Sequence, residues 1–244
     1  MNNSIQIIPF ANLALAFIPA FVVMGIFIKW SLGFGSALHA VSRMLVQLLL
    51  VGYCLAFIFD SNSAWIVIGV LSIMVFTSSW IALRTLKARR SVLYKYALCS
   101  ILLGGGTTLL LVTQGVLNLK PWYLPRYFIP LAGMIFANAM NSVSLAAERF
   151  EAEIERAVPY EQARSIALKA ALIPIINSLF AVGLVSLPGM MTGQILSGIS
   201  PLIAVRYQIM VMCMIFGAAG ISAAAFLLLA KEPLMQAAGE GGSR

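Results

Sequence analysis

Seven apolar runs, each close to the length of a bilayer crossing, leave this chain little choice of fold. They cover roughly residues 6–28, 41–59, 63–83, 96–117, 127–147, 168–187 and 208–230. About 20 consecutive apolar residues make a helix long enough to cross the hydrocarbon core. In lipid, a helix is one of only two backbones that satisfy their own N–H and C=O groups. Only 10% of the residues are charged, against about 25% in soluble domains. The sequence therefore predicts an all-α, polytopic integral membrane protein with about seven transmembrane helices, organised as a single domain over residues 1–244. No basic segment precedes the first run in "MNNSIQIIPF", so that run is expected to stay as a span and not be cleaved as a signal peptide.

A formal charge of +8 would point to nucleic acid in a soluble protein. Here the basic residues fall between apolar runs, where they set orientation, and no nucleic-acid partner is expected. With the N-terminus outside, the inward links hold Lys29, Arg43, Arg84, Lys87, Arg89, Arg90, Lys95, Arg149, Arg156, Arg164, Lys169, Lys231 and Arg244. The outward links hold Lys120, Arg126 and Arg206. Thirteen against three predicts N-out and C-in. The sixth run carries Pro174 and ends at Pro188, and a miscounted crossing there would invert everything after it. The short tail "KEPLMQAAGEGGSR" is expected to fray.

Small residues cluster in "SILLGGGTT" (100–108) and "FGAAGISAAA" (216–225), and the preferred reading is close helix packing. Cys54, Cys99 and Cys213 sit singly in apolar runs. An odd, scattered set fits neither a disulfide framework nor a zinc site, and the three read as small packing residues.

The stretch "ERFEAEIERAVPYEQARSIAL" (148–168) holds Glu148, Glu151, Glu153, Glu155 and Glu161 among Arg149, Arg156 and Arg164. Phe150, Ile154 and Val158 recur every four residues, which predicts a short helix with one apolar stripe. Pro159 is expected to end it at Val158 and open the next helix. Two readings stay open: a solvated helical hairpin, or a docking element whose apolar stripe fills a partner's groove.

Asn138 and Asn141 lie three residues apart in the fifth run, with Asn177 and Gln114 as candidate partners on other helices. An unpartnered amide in hydrocarbon is costly, so they either hold helices together or line a wet path. "SLPGMMTGQILSG" (186–198) combines Pro188, Gly189, Gly193 and Gly198 with Met190, Met191, Thr192 and Gln194. It reads as a broken segment, 188–206, either re-entrant or an extracytoplasmic turn. Broken helices commonly build transport sites, and the thioethers would add soft ligands. Met210, Met212, Cys213 and Met214 continue the sulfur pattern, although methionine also simply fills gaps.

No G-x-x-x-x-G-K-[ST] loop occurs, so ATP hydrolysis by that route is not expected of this chain. His39 is the single histidine, and no carboxylate lies well inside a run. The parts of a proton relay or a histidine-based nucleophile are therefore missing, and the chain does not read as an enzyme.

"FANAMNSVSLAAERFEAE" and "ALIPIINSLFAVGLVSLPGMMTGQILSGISPLIAVRYQIMVM" resemble the FetB-type ABC transporter permeases, membrane subunits of bacterial iron export, and the related plant aluminium-tolerance half-transporters. The likeness is dense from about 136 to 214 and elsewhere lies mainly in span layout. It implies a homodimeric permease working with a separate cytosolic P-loop ATPase. ATP and Mg would belong to that partner, with no cofactor held by this chain. It also implies metal export, with iron as the suggested ion. Residues 148–168 are similar to the EAA coupling loop of ABC importers, with Glu151-Ala152 at the EA position and Ala157 where a glycine is expected. The resemblance thus marks Phe150, Glu151, Ala152, Ile154, Pro159, Tyr160 and Glu161 for ATPase coupling. Asn138, Asn141, Pro188, Met190, Met191 and Gln194 are the candidates for the path, and no metal ligand set can be assigned. An ATPase-independent channel or carrier, and a non-transporting scaffold, are the alternative readings.

Overall fold

Each of the seven apolar runs holds a membrane-length helical span in the computed structural model, which describes residues 8–60, 63–86 and 89–235. Lys87, Arg244 and most of the tail expected to fray lie outside the described residues. Among the described residues no strand forms, and the one β-bridge joins Val182 to Ser186. Contacts group the chain into two units, Met1–Ser61 with Leu196–Gly198, and the remainder.

In the first unit, α1 (Phe10–Leu15) and α2 (Ile18–Lys29) are separated by a turn at residues 16–17. Pro19 falls in the first turn of α2, where its missing N–H leaves no bond unmade. Ser31 and Gly33 take left-handed backbone, φ +55° and +81°, and reverse the chain into α3 (Phe34–Asp60). Ser36 Oγ donates to the Gly33 carbonyl at 2.8 Å and secures the start of α3. Among the described residues of α1–α3 only Met24 is buried. Such a surface suits lipid and would not suit water.

The second unit is built on α7 (Pro125–Glu155), which packs against α4 (Ala64–Ala82), α8 (Tyr160–Ala181) and α10 (Pro201–Leu229). Ala163, Ala167 and Ala171 recur every four residues along α8 and are all buried. Small residues in a line let two helix backbones approach, which is how helices associate without a hydrophobic drive. Arg90 joins α4 to α5 (Arg90–Ile101): its guanidinium donates twice to the Trp80 carbonyl and stacks 3.8 Å over that indole.

The fourth span, 90–116, departs from a regular α-helix. Its π turns at Leu102–Gly106 and Leu111–Val116 flank α6 (Thr107–Leu110). The glycines of "SILLGGGTT" lie in the first and let it approach its neighbours closely. A Cβ on Gly104 would overlap Ser222 Oγ and stand 2.6 Å from the Ser222 nitrogen; one on Gly105 would stand 2.9 Å from the Phe136 ring. The helix is thus wedged between α10 and α7, as the packing reading of both small-residue clusters expects.

Several boundaries differ from the expectation. Helices α3, α5, α8 and α10 begin about six to eight residues before their apolar runs; α5 and α8 do so through charged sequence, and α10 starts on Pro201, which suits a first turn. No separate helix forms at 148–158: α7 runs unbroken to Glu155, and Pro159 serves as the N-cap of α8. The supposed break at 188–206 is mostly regular. Gly189 and Gly193 are helical in α9 (Gly189–Leu196), while Gly183 and Gly198 carry the positive φ values of +84° and +88°. The three cysteines are free and exposed, so they do not pack the core.

Candidate functional site

The charged corner between α7 and α8 is closed by local backbone chemistry. Ala157 sits at φ +59°, its N–H bonds the Ile154 carbonyl at 2.9 Å, and the Val158 N–H bonds the Glu153 carbonyl at 3.1 Å. This is the paired hydrogen-bond pattern that ends helices on a left-handed residue, usually glycine. Here alanine occupies that position.

The apolar stripe faces inward. Phe150 is fully buried and Ile154 nearly so, and the Phe150 ring meets Tyr160 edge-on at 5.7 Å. Tyr160 is itself buried, and its hydroxyl donates to the Leu227 carbonyl at 3.0 Å. Arg164 and Lys231 lie 5.5 and 4.7 Å over its ring. The expectation that Phe150, Ile154 and Tyr160 present side chains to a partner is therefore corrected. The Phe150 ring is met by the nearby Tyr160 of α8, whose hydroxyl is held in turn by the sequence-remote α10. Glu151 and Ala152 are half-buried, and Glu151 pairs with Arg89 at 3.4 Å. Glu153 is 4% exposed and pairs with both Arg149 and Arg156. What the corner leaves exposed is Glu155, Arg156, Ala157, Pro159, Glu161 and Gln162. Of the sequence candidates, only Pro159 and Glu161 belong to that surface.

The second feature is a cavity of about 320 Å³ walled by α7, α8, the 182–188 turn, α9 and α10. Asn138, Pro188 and Met190 line it, together with Met134, Ser178, Ser186, Gln208 and Met212. Met134 and Met190 also line a neighbouring cavity with Arg126, Tyr127, Tyr207 and Met210. Met191 faces a third cavity, beside Cys213. Asn141 and Asn177 point outward instead. Neither Asn177 nor Gln114 partners Asn138: its Nδ2 donates to Met134 of its own helix at 2.8 Å, and Gln114 bonds Thr113 and the Trp122 carbonyl. Gln194 has a buried Oε1 without a protein partner and lines none of these three cavities.

The 182–188 turn closes its own hydrogen bonds. Val185 and Ser186 donate to the Ala181 carbonyl, and Gly183 donates to Ser186. These bonds satisfy N–H groups of the turn and occupy the Ala181 and Ser186 carbonyls; the turn adds Val182, Ser186 and Pro188 to the cavity wall. Sequence reasoning missed Gln208, the one amide in the last apolar run. A lone amide at lipid depth carries a desolvation cost that demands an explanation, and that was the available signal. Among the described residues no three His, Cys, Asp or Glu side chains converge as metal ligands.

Seven membrane-length helices among the described residues and a tightly packed second unit define a polytopic α-helical integral membrane protein. The chain belongs to UPF0014, an uncharacterised protein family whose profile matches residues 10–235. A UPF0014 membrane protein of Synechocystis sp. is 39% identical over 74% of this chain and 76% of its own length. The Arabidopsis thaliana protein ALUMINUM SENSITIVE 3 is 37% identical over 77% of this chain and 73% of its own. The probable iron export permease protein FetB of Escherichia coli is 34% identical over 76% of each. No solved structure matches the chain.

Proposed function

We propose that the chain is a single permease domain, the membrane subunit of an ABC transporter in a bacterial inner membrane, working as a homodimer and exporting metal ions. A separate cytosolic ATPase would bind ATP and Mg. The observation that carries this reading is the α7–α8 corner. Its helix termini project a small exposed patch, 155–162, whose buried underside is tied to α10 by the Tyr160–Leu227 bond. A push on the patch therefore reaches α7, α8 and α10 together, and these three helices wall the cavity. The relative named as a probable iron export permease supports transport and the metal class.

The test is co-purification from native membranes in mild detergent. Wild-type chain should bring down a soluble ATPase in equal amount. The double charge reversal E155R/E161R, which alters two exposed carboxylates and breaks the surface Glu161–Arg164 pair, should lose it while eluting as the same folded species. Substituting Phe150 or Ile154 with Asp would instead bury an unpaired charge and test folding. If wild-type chain brings down no ATPase while folded, the ATP-driven reading fails and a carrier or channel replaces it.

A further inference from the structure

The 320 Å³ cavity has a donor set that the coupling corner does not account for. Its walls offer acceptors. Asn138 has spent an amide hydrogen on the Met134 carbonyl, and Ser178 has spent its hydroxyl hydrogen on the Pro174 carbonyl at 2.9 Å. Gln208 is 5% exposed, and its Oε1 has no partner within the protein. Three thioethers, Met134, Met190 and Met212, line the same space, and no charged residue does.

These walls select among ligands. A buried acceptor left unpaired is costly, so Gln208 calls for a donor or a cation. Hard divalent cations take several oxygen ligands and carboxylate charge, and the cavity has no carboxylate. Gly189 and Met190, at the start of α9, add partial positive charge to the wall, which opposes any cation and a multivalent one most. A single charge is the least costly to desolvate. Thioethers favour soft ions such as Cu(I).

We propose that this cavity binds one soft monovalent d10 cation, Cu(I), through the thioethers of Met134, Met190 and Met212 and the amide oxygen of Gln208. The site follows from the cavity alone and stands or falls separately from ATP-driven transport.

The test uses the full chain in detergent with Cys54, Cys99 and Cys213 changed to alanine, since exposed thiols would capture the probe. Ag(I), which has the same charge and softness without the redox chemistry, is titrated, and bound metal is counted after gel filtration. One Ag(I) per chain should be retained against excess Fe(II). Loss of even an outer-shell group costs about 10–100-fold in metal affinity, so M190L and Q208L should each weaken binding about tenfold or more. Leucine nearly conserves the volume of methionine, and M44L, exposed on α3 and outside this cavity, should bind as the parent does. Three results would overturn the site: no Ag(I) bound by the cysteine-free chain, equal binding by M134L/M190L/M212L, or displacement by equimolar Fe(II). ATPase co-purification from the same preparations separates the two readings. Ag(I) bound without ATPase removes the permease reading alone, and ATPase present without Ag(I) removes the cation site alone.

Discussion

Ala157 holds a backbone conformation that costs an L-residue about 1–2 kcal/mol relative to right-handed helix. Glycine there would relieve that cost while adding about 0.4–1 kcal/mol of unfolded-state entropy. Relief of strain outweighs the added entropy, so A157G should stabilise the chain by up to about 1 kcal/mol, read as a rise in the thermal midpoint in detergent. A lowered midpoint would mean the corner is not left-handed. Tyr160 gives a second residue-scale expectation. Y160F keeps the ring against Phe150 and removes only the hydroxyl bond to Leu227. It should cost about 0.5–1.5 kcal/mol by thermal or denaturant unfolding; no change would show that bond to be unimportant. The four-residue stripe of Phe150 and Ile154 was visible in the sequence as apolar. Its covering was not, because Leu227 and Lys231 reach Tyr160 from 67 and more residues away.

At the scale of helices, the contact between the first π turn and α10 decides how closely the spans pack. A Cβ on Gly104 would meet both the side chain and the backbone of Ser222. Overpacking of this kind typically costs about 1–3 kcal/mol. G104A should therefore lower the thermal midpoint. Removing the Ser222 hydroxyl, a buried oxygen without a partner, should leave most of that loss in place in G104A/S222A, because the backbone overlap remains. Full rescue by S222A would place the conflict at the hydroxyl alone. Small-residue clustering made this packing legible from sequence, since close approach demands small side chains wherever it occurs. Helix ends were less legible: hydropathy marks the part of a helix that lies in lipid, and α8 begins at Tyr160 among charges that hydropathy reads as loop. The cavity was half legible. Asn138, Pro188 and Met190 were in view as path residues and Met212 as part of a sulfur pattern; Gln208 was not, and both it and Met212 reach the cavity because α10 packs against α7.

At the scale of the whole chain, membrane topology depends on parity, and the doubtful point was the proline-bearing sixth run. There α8 is one continuous helix of 22 residues despite Pro174, about 33 Å long at 1.5 Å per residue, and it crosses a core of about 30 Å only with its charged first turns, Glu161 to Lys169, included. With its eight residues, α9 spans about 12 Å and adds no crossing. Seven crossings then keep the basic links on one side, thirteen Lys and Arg against three, which favours an outside N-terminus and a cytoplasmic C-terminus. A reporter that matures only in the cytosol should be active when fused after Arg244, and one that requires an oxidising exterior should be inactive there. The same pair fused at Lys120, between the fourth and fifth spans, should give the reverse. If both fusions report the same side, the crossing count between Lys120 and Arg244 is even, and one of α7, α8 and α10 does not span. If both are reversed, the alternation holds, but the charge bias does not set the orientation, and the exposed patch at 155–162 faces away from any cytosolic ATPase.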